Sequence, residues 1–244
     1  MDTLILEDHA LFREALENIC ARELPHARIV GAADGASALD LFRSQSFTLL
    51  VLDLGLPDIH GFAVAGAMRR MVPQVRIIIV TSYCDDYTVY RAEKLGVQGF
   101  VDKTVAMSSE LRSAVAQVAA GSVYFCARFL RIKAARLSNP LSFDKILSDR
   151  EMAILVLIAT PFTDGEIALE LGISPSTVEK HRFNMLRKLG FTTTAELVRF
   201  ARDRGIVETG SLNPNLAEQT ILVTPAASRR SCGSARDTTA PNPS

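Results

Sequence analysis

Polar side chains interrupt the first half of the chain where short apolar runs end. The groups able to do chemistry there are Glu7, Asp8, Asp53, Thr81 and Lys103. In an open parallel sheet such groups meet at the carboxyl edge of the strands. Three carboxylates in one cleft would repel one another unless a hard cation such as Mg²⁺ held them together. An aspartate there could attack a phosphoryl group and form an acyl phosphate.

The elements that must position these groups are five predicted strands with helices between them. Short aliphatic runs alternate with amphipathic stretches over residues 1–120, a pattern typical of a parallel sheet covered by helices. The predicted strands are 3–7, 28–32, 48–53, 76–81 and 99–101. The last helix is expected to begin at Ser108 or Ser109. The fold class predicted here is α/β, a doubly wound (βα)5 domain of flavodoxin-like order.

The second half of the chain changes character twice. Residues 121–147 contain five basic side chains and one acid, so we expect a basic linker that is partly helical. From residue 148 to 207 the signals favour an all-α unit of four helices. Residues 208–244 are rich in Thr, Ser, Pro, Asn and Ala, which predicts a disordered tail whose one strand-like run is 220–223.

Helix start signals place a helix-turn-helix inside the all-α unit. Three Ser/Thr-x-x-Glu capping boxes are Ser148 with Glu151, Thr163 with Glu166, and Thr193 with Glu196. A further helix is expected to begin at Ser174-Pro175 and to end at Gly190. The short helix 166–171, the turn 172–174 and the longer helix 175–189 then form the motif.

The outer face of that longer helix is predicted to bind double-stranded DNA. It presents Glu179, Lys180, Arg182, Phe183, Asn184, Arg187 and Lys188. Lys and Arg side chains would neutralise phosphates. Lys180 could reach a guanine edge, Glu179 a cytosine amino group and Phe183 a thymine methyl. We interpret His181 as a packed or phosphate-contacting residue, because no second metal ligand lies at suitable spacing.

Composition excludes several other classes of protein. The 244 residues carry 27 basic and 27 acidic side chains and are 48% hydrophobic, so a globular core is possible and any partner must be recognised locally. No apolar run is long enough to cross a membrane, and the N-terminus is acidic rather than basic, so a cytoplasmic protein is expected. The cysteines lack C-x-x-C spacing, which argues against disulfides or zinc; they are Cys20, Cys84, Cys126 and Cys232.

Residues 1–120 resemble the receiver domain of bacterial two-component response regulators. The motifs that match are Glu7-Asp8, Asp53-x-x-x-Pro57-x-x-x-Gly61, Thr81, and Gly99-Phe100-Val101-Asp102-Lys103. This resemblance implies that Asp53 is phosphorylated. It also implies that Asp8, Asp53 and the Gly55 carbonyl bind Mg²⁺, with Glu7 acting through water.

The resemblance assigns roles to three further residues. Thr81 would bond a phosphoryl oxygen, with Ser82 as an alternative donor, and Lys103 would pair with the phosphoryl charge. Phe100 stands where the family has an aromatic switch residue, whose inward turn accompanies closure of the hydroxyl on the phosphate. The alternative for Phe100 is a plain core residue.

Residues 147–207 resemble a LuxR-type DNA-binding domain. The matching segments are 147–151, 165–168, 174–182 and 187–190, together with Asn184, while Thr160-Pro161-Phe162 departs from the family's usual turn. The resemblance adds Thr177 and His181 to the expected DNA-binding residues. Together the two domains resemble the NarL/FixJ subfamily of response regulators.

These resemblances imply a transcription regulator rather than an enzyme. A histidine kinase would phosphorylate Asp53 in the presence of Mg²⁺, and the protein would dimerise and bind inverted DNA half-sites. The alternatives are a regulator that no longer needs phosphate, a Mg²⁺-dependent phosphatase with an Asp nucleophile, and a receiver that binds only proteins. Residues 1–120 carry net charge −4 and 176–205 carry +4, which suggests that the receiver attracts the recognition helix and inhibits it.

Overall fold

The computed structural model describes residues 1–105, 107–160 and 162–207. The predicted tail 208–244, with its strand-like run 220–223, lies outside the described residues, as does Pro161 of the unusual turn.

A parallel sheet of six strands forms the first domain, in the order β2-β1-β3-β4-β5-β6. The strands are β1 Thr3–Leu6, β2 Ile29–Ala32, β3 Leu49–Leu52, β4 Arg76–Thr81, β5 Gly99–Asp102 and β6 Tyr124–Phe125. The five strands expected from the sequence are confirmed to within a residue or two at their ends. The sixth was missed, because two residues are too few to show the alternation of a strand.

Five helices cover both faces of this sheet: α1 Ala10–Glu23, α2 Gly35–Ser44, α3 Gly61–Met71, α4 Asp86–Leu95 and α5 Met107–Ala119. Side chains alternate along each strand, so Ile5 packs towards α1 and α5 while Leu4 and Leu6 pack towards α2, α3 and α4. The burial of both faces explains the continuous apolar runs. The predicted doubly wound α/β fold is confirmed.

The segment between the domains is more structured than a linker. It contains β6, α6 Ala127–Ser138 and the single turn α7 Phe143–Ile146. Helix α6 lies against α4, where Lys133 Nζ is 2.8 Å from a Glu93 carboxylate oxygen and Arg136 also pairs with Glu93. Phe129 of α6 packs on Phe100 of β5, with ring centroids 4.9 Å apart. The basic residues of this segment therefore help to attach it to the receiver.

Four helices form the second domain: α8 Asp149–Ala159, α9 Asp164–Leu171, α10 Pro175–Leu189 and α11 Thr194–Asp203. All three capping boxes are present, and Ser174 accepts a hydrogen bond from the backbone N–H of Thr177. Gly172 and Gly190 end α9 and α10 with positive φ of 61° and 71°, which favours glycine. Ile167, Val178 and Met185 join the common core.

The two domains touch through α4 of the first. Tyr87 and Tyr90 on α4 pack around Phe143, and the Tyr87 N–H donates to the Arg204 carbonyl at 3.2 Å. Arg204 also forms an ion pair with Asp86. The contact therefore combines aromatic packing with a backbone bond and a charge pair.

Candidate functional site

The acidic residues of the first domain lie where the strand order reverses. Strands β2 and β3 flank β1 on opposite sides, so a crevice opens at the carboxyl ends of β1 and β3. Glu7 follows β1 and Asp53 follows β3, and the Asp53 N–H donates to the Leu6 carbonyl at 2.9 Å. The Lys103 N–H donates to the Thr81 carbonyl at 3.0 Å. The topology thus brings together groups almost a hundred residues apart in sequence.

Lys103 joins the two buried carboxylates. Its Nζ lies 2.7 Å from Glu7 Oε2 and 2.7 Å from Asp53 Oδ2. The other oxygen of Asp53, Oδ1, accepts a hydrogen bond from the Leu54 N–H at 2.6 Å. One oxygen of Asp53 is therefore fixed by the backbone, and the other is paired with the flexible side chain of Lys103.

Burial and charge compete in this pocket. Burial raises the pKa of Glu7, and the bond and charge of Lys103 only partly oppose it. Burial also disfavours the Lys103 ammonium, but the bonds to Asp53 and Glu7 outweigh it and raise the pKa of Lys103. The carboxylates of Glu7 and Asp53 therefore outnumber the one ammonium group that neutralises them.

A cation would complete the pocket. Glu7 Oε1 is buried and has no hydrogen-bond partner among the described residues. Glu7, Asp8 and His9 each offer a ligand atom, and these atoms lie within 4.8 Å of one another. Carboxylate oxygens with room for water are the surroundings that Mg²⁺ prefers. The orphaned Glu7 oxygen and the adjacent Asp8 carboxylate therefore fit the predicted metal, although the third member of this group is His9 and not the predicted Asp53.

Two glycines near Asp53 differ in how strictly they are required. A Cβ at Gly61 would lie 2.3 Å from the Asp53 carbonyl oxygen and 2.7 Å from Leu54 Cα, both backbone atoms. A Cβ at Gly55 would meet only side chains, the nearest being Tyr83 at 3.4 Å. Gly61 therefore lets α3 begin close against the loop that carries Asp53, while a Cβ at Gly55 would meet no backbone atom within 4 Å.

Thr81 and Phe100 are both fully buried next to this pocket. Thr81 ends β4, and its Oγ1 accepts a hydrogen bond from the Tyr83 N–H at 3.2 Å. Phe100 lies inward on β5 and contacts Phe129 of α6. The expected switch residue thus touches the segment that leads to the second domain.

Sequence reasoning missed two residues at the entrance of the pocket. The ring of Phe12 lies 5.4 Å from Lys103 Nζ, and His9 Nδ1 lies 3.3 Å from Asp8 Oδ1. Phe12 is 42% exposed although it lies on the first turn of a helix that packs against the sheet. The position of both just after Glu7-Asp8 was the available signal, since the first turn of that helix must border the crevice.

The second candidate site is the outer face of α10. Glu179, Lys180, Phe183 and Arg187 are exposed, and Thr177, His181 and Asn184 are partly exposed. Phe183 is 65% exposed, so its ring is accessible to a partner. Lys180 and Arg187 form no ion pair within the described part of the chain, so their charges are available to a partner.

Two of the expected DNA-binding residues have partners inside the domain. Arg182 pairs with Asp164 at the start of α9. Lys188 Nζ lies 2.7 Å from Glu151 Oε2, a carboxylate that is almost fully buried. These two side chains therefore contribute to the packing of the motif as well as to its surface charge.

The contact between domains does not follow the charge argument made from the sequence. Attraction between the acidic receiver and the basic recognition helix was expected. Instead α4 meets α7, the start of α8 and the end of α11, and the exposed face of α10 lies outside this contact. The expectation was wrong because a net charge averages over a surface, whereas Tyr87, Tyr90 and Phe143 determine where the domains touch.

Comparisons with known proteins identify the family of each domain. The response regulator receiver domain family matches residues 3–116, and the luxR family of bacterial regulatory proteins matches residues 145–201. The transcriptional regulatory protein MctR of Rhizobium johnstonii is 31% identical over 209 residues, covering 84% of this chain and 94% of the relative. This chain belongs to the response-regulator family with a LuxR-type DNA-binding domain.

A second relative and a solved structure are also similar to this chain. The response regulator GacA of Pseudomonas aeruginosa is 28% identical over 212 residues, covering 85% of this chain and 98% of GacA. RcsB of Salmonella enterica serovar Typhimurium, solved on a promoter with the phosphomimetic BeF3⁻, shares the fold with TM-score 0.58 and 22% identity. That match covers 82% of the regulator described here and 97% of RcsB. Within the described ranges of this regulator, no helix is both long and apolar enough to span a bilayer.

Proposed function

We propose that a histidine kinase phosphorylates Asp53 of this regulator, and that the modification controls dimerisation and DNA binding by α10. The observation that carries the proposal is the position of Lys103, 2.7 Å from both Asp53 and Glu7. A lysine held between two carboxylates can move to a new anion without leaving the pocket.

Phosphoryl transfer requires little rearrangement at Asp53. Oδ2 attacks phosphorus as the bond to the donor histidine breaks, while Oδ1 stays fixed by the Leu54 N–H. Lys103 then pairs with a phosphoryl oxygen, and the Thr81 hydroxyl donates to another. Asp8, Asp53 and the Gly55 carbonyl would hold Mg²⁺, with Glu7 acting through water, and the ion would supply positive charge for the phosphoryl oxygens.

The signal passes through the aromatic contacts behind the pocket. Movement of Thr81 shifts the loop between β4 and α4 and the packing of Phe100. Phe100 touches Phe129 of α6, and α4 holds Phe143 and Arg204 of the second domain. Both routes lead from Asp53 to the elements that orient α10.

DNA binding by the regulator depends on α10 and on pairing of two copies. One solved structure holds two RcsB dimers on two parallel DNAs, and RcsB shares this fold. A dimer with two-fold symmetry would place two copies of α10 on inverted half-sites in the cytoplasm. The protein acts as a regulator and not as an enzyme that turns over substrates.

Labelling with radioactive acetyl phosphate and Mg²⁺ tests the phosphoacceptor. We expect the wild-type regulator to be labelled and Asp53→Asn to be unlabelled. Asp58→Asn is the matched control, because Asp58 follows the same strand but its carboxylate accepts the N–H groups of Gly35 and Ala36 at 2.8 Å. Label retained by Asp53→Asn would place the acceptor elsewhere.

A second candidate function is DNA binding without phosphate. The exposure of Phe183, Lys180 and Arg187 supports it, because the contact between the two domains leaves the recognition face open. Equal affinity for a duplex with and without BeF3⁻ and Mg²⁺ would favour this candidate over the first.

A further inference from the structure

The end of α11 lies against the first turn of α4. Arg204 and Gly205 directly follow α11, and Asp86 is the first residue of α4. The Arg204 carbonyl accepts the Tyr87 N–H at 3.2 Å, and the Arg204 guanidinium pairs with Asp86. The amides of a first helical turn have no acceptor within their own helix. The second domain therefore supplies an acceptor that the first turn of α4 lacks.

Gly205 makes this close approach possible. Its φ is 70°, and a Cβ there would lie 2.2 Å from Asp85 Cγ. The Asp85 carboxylate has little freedom to move aside, because it caps α4 by accepting the Thr88 N–H at 2.8 Å. Gly190 has nearly the same φ, 71°, yet a Cβ there would meet nothing within 4 Å. At position 205, glycine is therefore required by the contact between the domains as well as by the backbone conformation.

The contact holds one end of a loop whose other end is Thr81. Residues 82–85 join Thr81 to α4, and Thr81 Oγ1 accepts the Tyr83 N–H of this loop at 3.2 Å. When the Thr81 hydroxyl moves onto a phosphoryl oxygen at Asp53, the loop bonded to it must move as well. Arg204 and Gly205 fix the start of α4, so their contacts oppose that movement.

We propose that the contact of residues 204–205 with α4 opposes occupation of Asp53 by a phosphoryl group, and that occupation in turn releases the end of α11. This inference rests on the proposed function, which makes Asp53 the phosphoacceptor. Coupling between two sites is reciprocal, so docking weakens phosphoryl binding by the same factor by which phosphoryl binding weakens docking. The exposed face of α10 lies outside the contact, so the second domain restrains the receiver without covering the surface expected to bind DNA.

Titration of the full chain with BeF3⁻ at constant Mg²⁺ tests the proposal, with ¹⁹F NMR of the bound fluoride as the readout. Gly205→Ala should bind BeF3⁻ about five-fold more tightly than the wild type, at the lower end of typical coupling between sites. Gly190→Ala is the matched control, because it introduces the same left-handed backbone strain without a clash, and it should bind like the wild type. Equal BeF3⁻ affinities of Gly205→Ala and Gly190→Ala would overturn the proposal.

A second variant tests the same contact without backbone strain. Arg204→Gln removes the ion pair with Asp86 and keeps the carbonyl that accepts the Tyr87 N–H. It should tighten BeF3⁻ binding by a smaller factor than Gly205→Ala. Arg202→Gln is its control, because Arg202 is exposed in the last turn of α11. If Gly205→Ala does not fold, equal BeF3⁻ affinities of Arg204→Gln and Arg202→Gln would overturn the proposal.

Hydrogen exchange of the Tyr87 amide measures the contact directly. BeF3⁻ with Mg²⁺ should speed this exchange in the wild type, because release of α11 withdraws the Arg204 carbonyl, and should leave it unchanged in Asp53→Asn. Unchanged Tyr87 exchange in wild type that has bound BeF3⁻ would overturn the release of α11. A wild type that does not bind BeF3⁻, or that binds it no better than Asp53→Asn, would instead contradict the proposed function.

Discussion

The acidic pocket and the outer face of α10 hold their charges in opposite ways. In the pocket, Lys103 is only 10% exposed and both of its partners are buried carboxylates. On α10, Lys180 and Arg187 are exposed and form no ion pair among the described residues. The pocket is thus preorganised by internal contacts, whereas the recognition face leaves its charges for DNA. Substitutions should therefore affect stability and signalling in the first region and affinity and salt dependence in the second.

Removal of the Lys103 charge should have the largest effect. Lys103→Met leaves Glu7 and Asp53 buried without their cation, and loss of one member of a buried charge pair typically costs about 3–5 kcal/mol. We expect this loss to lower the unfolding free energy. A lower denaturant midpoint and faster hydrogen exchange in the receiver strands would report it. Added Mg²⁺ should restore more stability to this variant than to the wild type.

The control for that prediction is Lys145→Met, since Lys145 Nζ donates to the Leu137 and Asn139 carbonyls at the surface and pairs with no carboxylate among the described residues. Equal sensitivity to Mg²⁺ in Lys103→Met and the wild type would contradict the view that Lys103 and the metal neutralise the same carboxylates.

The second largest effect should come from glycine substitutions, which should change the stability of the two domains in opposite directions. Gly61→Ala places a methyl group against the Asp53 backbone, and forced overpacking costs about 1–3 kcal/mol. Gly165→Ala, inside α9, meets only Thr163 Oγ1 at 4.0 Å and should raise stability by about 0.5–1 kcal/mol. Urea unfolding of the two variants measures both changes in the free energy of unfolding. An unchanged unfolding free energy for Gly61→Ala would show that the loop carrying Asp53 can move to admit a methyl group.

The stability of the DNA-binding domain should depend on Glu151 in a pH-dependent way. Burial opposes its ionisation, but hydrogen bonds from Lys188 and Ser148 outweigh burial and hold the pKa of Glu151 below its ordinary value. A folded-state pKa below the unfolded one contributes stability above pH about 4.5, and this is lost as pH falls through the folded pKa. Glu151→Gln should therefore weaken the domain at neutral pH and differ less from wild type in acid.

Hydrogen exchange of the α8 amides, measured at neutral pH and in acid, gives the stability difference between Glu151→Gln and the wild type. Glu166→Gln is the comparison, because Glu166 has the same capping role on α9 but is exposed and has no lysine partner. If the stability difference between Glu151→Gln and the wild type were the same in acid as at neutral pH, the lowered pKa of Glu151 would be contradicted.

The smallest expected effect is on the salt dependence of DNA binding. Arg187→Ala should reduce the slope of log affinity against log salt by about 1, because one phosphate contact is lost. Arg182→Ala should reduce it less, since Arg182 pairs with Asp164. Arg43→Ala, on α2 of the receiver, is the control that should leave the slope unchanged. Equal slopes for Arg187→Ala and Arg43→Ala would show that Arg187 does not contact a DNA phosphate.

Most of the fold was predictable because its signals are local. The capping boxes at Ser148, Thr163 and Thr193 and the glycine at 190 determine helix ends through bonds within a few residues. Apolar runs determined the five long strands in the same way. Strand β6 was missed because its pairing with β5 is a property of the tertiary fold and leaves no period in two residues.

The convergence of Glu7, Asp53 and Lys103 was predictable from the sequence, but the contacts between them were not. Strand ends placed Glu7, Asp53 and Lys103 at one edge of the sheet. Sequence alone could not show that Lys103 contacts both carboxylates, that Lys188 reaches Glu151, or that the domains meet at Tyr87 and Phe143. These contacts depend on side-chain reach and on packing between distant segments, which net charge and spacing do not determine.

The most direct test of the account is the DNA affinity of the full chain with and without BeF3⁻ and Mg²⁺. A duplex selected from a random pool serves as the ligand, and Asp53→Asn serves as the control. We predict that BeF3⁻ with Mg²⁺ tightens DNA binding by the wild type and leaves the affinity of Asp53→Asn unchanged. Equal affinity of the wild type in both conditions would contradict control of α10 by the phosphoryl group on Asp53.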